Sequence, residues 1–235
     1  MTDWLATIRQ ATPGLPRLLC SLGPTLHLAH LGELDARLLE RERIRGLIWD
    51  VDGTLTHAGR PEVAPEARAA IERLHAAPGL RHVILSNGDE ARSHALATLF
   101  PLIPVLSGFA TAAGPAFRRL HAGRHEWSDE AAAAAGPGAL RRIRKPSAVL
   151  VRFAVRELGL GPGGVAMVGD QYLTDVAGAN LAGVRSIKVP TLGRSSFPLA
   201  VRVLMRVDEW LFRLAESTVP QSLRIRAPVT PAGEV

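Results

Sequence analysis

Cysteine is almost absent from this chain. Cys20 is the single one, so no disulfide can close within it and no thiolate cluster can hold a metal; Cys20 reads as a packing residue. Aromatic residues make up only 5%, and the arginines are scattered apart from RRIRK at 141–145, so a stacking face for nucleic acid is not expected. No uncharged apolar run reaches the length of a bilayer-spanning helix. The opening MTDWLATIRQ has neither a basic leader nor a long apolar core, so a secretory signal is not expected. Acidic residues are the minority, 22 against 28 Lys and Arg, a formal charge of +6. That excess favours anionic partners without choosing among phosphorylated metabolites, anionic lipid surfaces and nucleic acid. The expected location is cytoplasmic, with room for peripheral attachment at the inner face of a membrane.

What is present suits a folded enzyme-sized domain. The 235 residues are 47% apolar, ample for one core with appendages. Compact apolar runs at 45–50, 80–88, 102–108, 164–170 and 184–189 read as strands. Helical patterns fall at 61–77, 89–100, 145–160 and from DVAGANLAG at 175, and Leu31, Leu34, Leu38 and Leu39 predict a short helix before the first strand. Strands alternating with helices predict an α/β fold: a Rossmann-like three-layer αβα arrangement around a mostly parallel sheet. Residues 109–144 mix Arg, His, five consecutive Ala and a GPG break, and are expected as loop with short helices. The division expected is an N-terminal helical segment (1–43), a catalytic domain (44–192), an amphipathic helix (193–216) and a flexible tail (217–235). In that helix Val203, Val207, Trp210, Leu211 and Leu214 line one face, and Arg202, Arg206, Glu209 and Arg213 the other. It could pack on the sheet, form a homodimer contact or lie in a membrane interface.

The stretch LIWDVDGTLTHAG, 47–59, ends an apolar strand on two carboxylates around one valine. By itself it could be a solvated turn, a metal site or a phosphoryl-transfer centre. It lacks the further oxygen ligands of a calcium loop. Two more strands also end in polar groups, VILSN at Ser86 and Asn87, and AMVGD at Asp170. In an open α/β sheet, ligands bind at the carboxyl ends of the strands, so Asp50, Ser86, Asn87 and Asp170 are expected to converge. Carboxylates with a small hydroxyl suit Mg2+ and phosphate, and Lys145 can add positive charge.

DVDGTLT, SN, Lys145 and GDQYLTD, in that order, resemble the motifs of the haloacid dehalogenase-like (HAD) phosphatases over residues 44–190. The resemblance implies Asp50 as the nucleophile that forms an aspartyl-phosphate, and Asp52 as the acid and then the base. It implies that Thr54, Ser86, Asn87 and Lys145 hold the phosphoryl group. Mg2+ would be bound by Asp50, the Asp52 backbone carbonyl and Asp170, with Asp175 supporting the metal or orienting Lys145. Residues 53–85 leave no room for a large cap domain, and family members without one tend to take bulky substrates. GDQYLTDVAGANLAGVRSIKVP and RKP further resemble the phosphatidylglycerophosphate phosphatases of bacteria and mitochondria. That group often has Asn where this chain has Gly53, and a shorter link than 107–144. The partner implied is a phosphorylated small molecule or a lipid headgroup. A soluble phosphatase for a sugar phosphate or nucleotide, and a scaffold that has lost turnover, are the alternatives.

Overall fold

The computed structural model describes residues 15–57, 60 and 62–225. Among the described residues nine strands form one sheet. They are β1 (Leu26–His27), β2 (Gly46–Trp49), β3 (Arg81–Leu85), β4 (Val105–Thr111), β5 (Gly114–His121), β6 (Arg124–Trp127), β7 (Arg141–Ile143), β8 (Val165–Gly169) and β9 (Arg185–Lys188). Their order is β1-β9-β8-β2-β3-β4-β5-β6, with β7 pairing to β4. The strands from β1 to β4 in that order run parallel; β5 and β7 pair antiparallel with β4, and β6 pairs antiparallel with β5. The helices are α1 (Leu15–Cys20), α2 (Ala36–Arg41), α3 (Pro65–His75), α4 (Glu90–Leu99), α5 (Glu130–Ala135), α6 (Ala148–Glu157), α7 (Ala177–Ala182) and α8 (Leu199–Thr218).

The period-2 alternation of the strands builds both faces. Leu47 and Trp49 of β2 point into one apolar layer with Ala67, Ala70, Ile71 and Leu74 of α3 and Leu96 of α4. Ile48, between them, points into the other layer with Leu150, Val151 and Ala154 of α6 and Ala179 of α7. The expected three-layer α/β architecture is therefore the one observed, and no cap domain is inserted among the described residues between β2 and β3.

Four local expectations change. The helix expected over Leu31–Leu39 is two pieces, a 3-10 turn at Leu31–Glu33 and α2, because Asp35 accepts from the Leu38 N–H at 2.8 Å and starts a new helix. The N-terminal segment, expected as helical, also supplies edge strand β1. Residues 109–144, expected as loop with short helices, hold one short helix, α5, but also the strands β5, β6 and β7. Arg118 of β5 is fully buried there, because Glu90 takes it in two bonds of 2.5 and 2.8 Å and the rings of Phe109 and Trp127 flank it. A buried arginine of that kind breaks the apolar alternation by which a strand is recognised.

The fourth change concerns α8. It packs through Leu211, Phe212 and Ala215 onto a small cluster with Leu18, Leu22 and Tyr172, and buries Met205 and Asp208 as well. The face grouped in the sequence mostly looks outward: Val203 is 51% and Trp210 59% exposed. The rotation is fixed by Phe212, stacked on Tyr172 at 4.0 Å, and by Asp208, which accepts the N–H groups of Tyr172 and Leu173 at 2.8 and 2.7 Å. Beyond α8 a 3-10 turn spans Gln221–Leu223; the rest of the expected tail, 226–235, lies outside the described residues.

Candidate active site

β2, β3 and β8 lie side by side and parallel, so the residues that follow them emerge at one edge. After β2 the chain makes a tight turn in which the N–H groups of Thr54, Leu55 and Thr56 all reach the Val51 carbonyl. Gly53 sits there at φ 95°, and a Cβ on it would lie 2.6 Å from Asp170 Oδ2. Only glycine lets the Asp170 carboxylate come this close to the turn. After β8 the chain widens into a π-helical turn, Tyr172–Val176, a feature frequent at functional sites. It brings Asp175 back over Gly169, where a Cβ would meet the Asp175 side chain at 2.4 Å.

The outcome is a buried acidic cluster. Ligand oxygens of Asp50, Asp170 and Asp175 lie within 4.8 Å of one another. Lys145 Nζ donates to Asp50 Oδ1 and, at 2.7 Å, to Asp175 Oδ1. Thr54 Oγ1 donates to Asp50 Oδ2 at 3.2 Å and lies 3.5 Å from Asp170 Oδ1. Asp175 Oδ2 accepts from the Gln171 N–H at 3.1 Å, so Asp175 is occupied in orienting Lys145 and in holding its own turn.

Lys145 arrives at the end of the segment 109–144, expected as loop with short helices. β4 pairs with β3 only at Val105 and Leu106, and β7 takes the same edge further along, at Gly108–Ala110. β7 thus sits above the end of β3 and delivers Lys145 to the strand ends. Asn87 fixes it there: its Oδ1 accepts from the Lys145 N–H at 2.7 Å, and its Nδ2 donates to the Lys145 carbonyl at 3.2 Å. Asn87 thereby clamps the backbone of the lysine. Ser86 is half-buried beside it, its hydroxyl accepting from the Gly88 N–H at 3.1 Å. The Asp52 side chain is paired with Arg92 at 2.7 Å. Arg92 and Asp208 were not singled out in the sequence. Asp89 capping α4 three residues before Arg92, and an acid amid the apolar residues of α8, are the signals they leave.

The electrostatics show what the cluster needs. Burial pushes the Asp50 carboxyl up, Lys145 pulls it back and Asp175 raises it further, leaving it at about 7. Asp170 is pushed well up, by burial first and then by Asp50 and Asp175. Burial would lower Lys145, but Asp175 and Asp50 hold it above its ordinary range. Three buried carboxylates share one hydrogen-bonded ammonium, and Asp170 Oδ2 is buried without a partner among the described residues. An all-oxygen set with an orphaned carboxylate oxygen fits a hard divalent cation such as Mg2+.

A pH signature follows. The folded state keeps on Asp50 a proton that the unfolded chain releases near its ordinary value of 3.8. That contribution to stability is complete below 3.8 and is lost as pH rises through about 7, since the folded state is then the one binding more protons. The melting temperature in EDTA is expected to fall across this window. Mg2+ must displace the same proton, so its thermal shift should be larger at about pH 8 than at about pH 6. Equal shifts at both values would contradict the assignment of this cluster as the cation site.

Two family models match the chain: one described as HAD-hydrolase-like, over residues 142–196, and one described as mitochondrial PGP phosphatase, over residues 16–97. The chain is similar to phosphatidylglycerophosphate phosphatase 1, chloroplastic, of Chlamydomonas reinhardtii, 29% identical over 194 residues, which cover 81% of this chain and 61% of the algal protein. It thus spans under two thirds of that relative. It is 26% identical over 157 residues to the probable phosphatase YqeG of Bacillus subtilis, covering 67% of this chain and 70% of the other. A solved structure of an uncharacterized protein from Listeria monocytogenes serotype 4b aligns with TM-score 0.42 and 18% identity, over 74% of this chain and 99% of that one.

Proposed function

We infer that this chain, which belongs to the haloacid dehalogenase-like phosphatases in their phosphatidylglycerophosphate-phosphatase-like group, is a Mg2+-dependent phosphomonoesterase acting through an aspartyl-phosphate on Asp50. The observation that carries the reading is the buried set of Asp50, Asp170 and Asp175 around Lys145. An oxygen of Asp50 attacks phosphorus as the bond to the leaving oxygen breaks. Asp52 gives that oxygen a proton. Asp52 then takes a proton from the water that attacks the phosphoryl group, and the bond to Asp50 breaks to release phosphate. Lys145 stays charged throughout and offsets the charge gathering on the phosphoryl oxygens. Thr54 holds the nucleophile, and Ser86, following β3, binds a phosphoryl oxygen. Asp50, Asp170 and the Asp52 carbonyl, with Asp175 behind them, would hold Mg2+, which when bound would supply further positive charge to the transferring group.

The favoured substrate is phosphatidylglycerophosphate, presented on an anionic membrane. Two observations support a lipid source. The names of the matched family model and of the algal relative are of phosphatidylglycerophosphate phosphatases. And α8 exposes Leu199, Val203, Val207 and Trp210 in one stripe, with the exposed Arg202, Arg206 and Arg213 along its flank. No helix among the described residues is long and apolar enough to cross a membrane, but a stripe of this composition suits the interface of an anionic bilayer.

A panel of phosphatidylglycerophosphate in anionic vesicles, sugar phosphates and nucleotide monophosphates tests the substrate. The lipid is expected to be hydrolysed fastest. The Val203→Ser, Trp210→Ala double variant should lose about tenfold or more on vesicles and keep its rate on soluble 4-nitrophenyl phosphate. Preference for a soluble monophosphate, or a stripe that sediments as a homodimer contact and ignores vesicles, would overturn the lipid reading.

A further inference from the structure

Asp52 sits on an exposed-edge turn, its side chain 32% accessible, with no cap domain among the described residues to close over it. A general acid left to rotate there would spend little time aimed at a leaving group. Arg92 removes that freedom. Its Nη2 donates to Asp52 Oδ1 at 2.7 Å and to Thr56 Oγ1 at 2.8 Å, and its Nη1 donates to the Arg60 carbonyl at 3.2 Å. Thr56 Oγ1 lies 3.4 Å from the same Asp52 oxygen. The guanidinium side chain is only 15% exposed.

The arginine is itself held at its root. Asp89 accepts the Arg92 N–H at 2.9 Å, which fixes the first turn of α4. Arg142 on β7 donates to the Gly88 carbonyl at 2.5 Å and to Ser93 Oγ at 2.9 Å, one residue to the far side of Arg92. Gly88 leaves room for the stem, since a Cβ there would lie 2.6 Å from Arg92 Cγ. The strand that delivers Lys145 to the nucleophile thus also braces the helix turn that delivers Arg92 to Asp52.

We propose that Arg92 is the positioning residue for the acid and base of this site, an inference that rests on the phosphatase reading above. It binds one oxygen of Asp52 and thereby fixes where the proton is delivered. As the bond from phosphorus to the leaving oxygen breaks, its electron pair takes the proton of Asp52, and the resulting carboxylate stays in place against Arg92. The same carboxylate takes the proton of the incoming water as the bond between phosphorus and Asp50 breaks. Fixing a reacting group in this way replaces in a lidless site what closure does elsewhere, and displacement by about 1 Å costs on the order of a hundredfold in rate.

The test is the dependence of kcat/KM on the leaving group, for wild type and variants, across phenyl phosphates of graded leaving-group strength and an alkyl phosphate. A good leaving group departs without a proton, so it does not feel where Asp52 points. Arg92→Ala is expected to lose about a hundredfold on the alkyl phosphate and only a few-fold on 4-nitrophenyl phosphate. Arg92→Lys should recover much of the loss. Thr56→Val, which keeps the arginine and removes the shared hydroxyl, should show the same steepening at about tenfold, and covers the case in which Arg92→Ala does not fold. Equal losses across the series, or a rise in KM with an unchanged leaving-group dependence, would overturn the proposal in favour of a structural or substrate-binding arginine. A wild-type protein that hydrolyses none of the series would overturn the phosphatase reading itself, and the proposal with it.

Discussion

Asp50→Asn is expected to lower turnover of any phosphomonoester by about 10^4-fold or more, while the protein stays folded. The substitution removes the oxygen that attacks phosphorus and keeps the shape of the side chain. The carbonyl oxygen of the new amide can still accept from Lys145, and its NH2 can donate to Thr54. The variant also removes a carboxyl that burial first, and then the neighbouring Asp175, pushes up to about 7. In EDTA near neutral pH its melting temperature should therefore equal or exceed that of wild type. Steady-state kinetics with Mg2+, paired with thermal melts, separate the two effects. Retained turnover would reject Asp50 as nucleophile, and a collapsed melting temperature would mean that the loss of activity reports unfolding.

Lys145→Met should show the opposite stability pattern. The lysine is buried, donating to Asp50 and Asp175. Methionine fills similar space but leaves these carboxylates facing each other without a cation. Removing one partner of a buried ion pair costs about 3–5 kcal/mol, and here one ammonium serves two acids. Turnover is expected to fall by about 10^2–10^3-fold, the usual cost of losing one donor to the transferring group. Mg2+ should recover part of the stability and little of the rate. Urea unfolding with and without Mg2+, beside kcat, measures both. A variant as stable as wild type in EDTA would show that the acidic cluster does not depend on Lys145.

The central sheet was legible because its strands are short apolar runs, buried on both faces, which period and length identify. The convergence of Asp50 and Asp170 was legible from the same runs, since each run ends on a carboxylate at the same edge. What escaped notice has a common cause: polar side chains satisfied by partners distant in sequence. Arg118 and Glu90 hide β5, and with it the route by which β7 carries Lys145 to the site. Asn87 is conspicuous in sequence as a phosphate-side residue, yet in the fold it holds the Lys145 backbone from both sides. Asp208 reads as a polar residue on a surface helix until Tyr172 and Leu173 are seen bonded to it. Burial then pushes it up to about 6. Gly53, a departure from the pattern of the phosphatidylglycerophosphate phosphatases, has a reason in the closeness of Asp170 to the turn. The stripe of α8 through Val203, Val207 and Trp210 was legible, but which side of the helix packs was not, because the helix is apolar on two sides and Asp208 and Phe212 decide it.

The most direct measurement is a covalent trap. Substrate is mixed with excess enzyme and Mg2+, the reaction is quenched in acid, and the protein is reduced with borohydride, which converts an acyl-phosphate to the alcohol. Peptide mass spectrometry should then find homoserine in place of aspartate at position 50, absent without substrate. Reduction at another carboxylate, or phosphate held on a histidine or serine, would contradict Asp50 as the nucleophile.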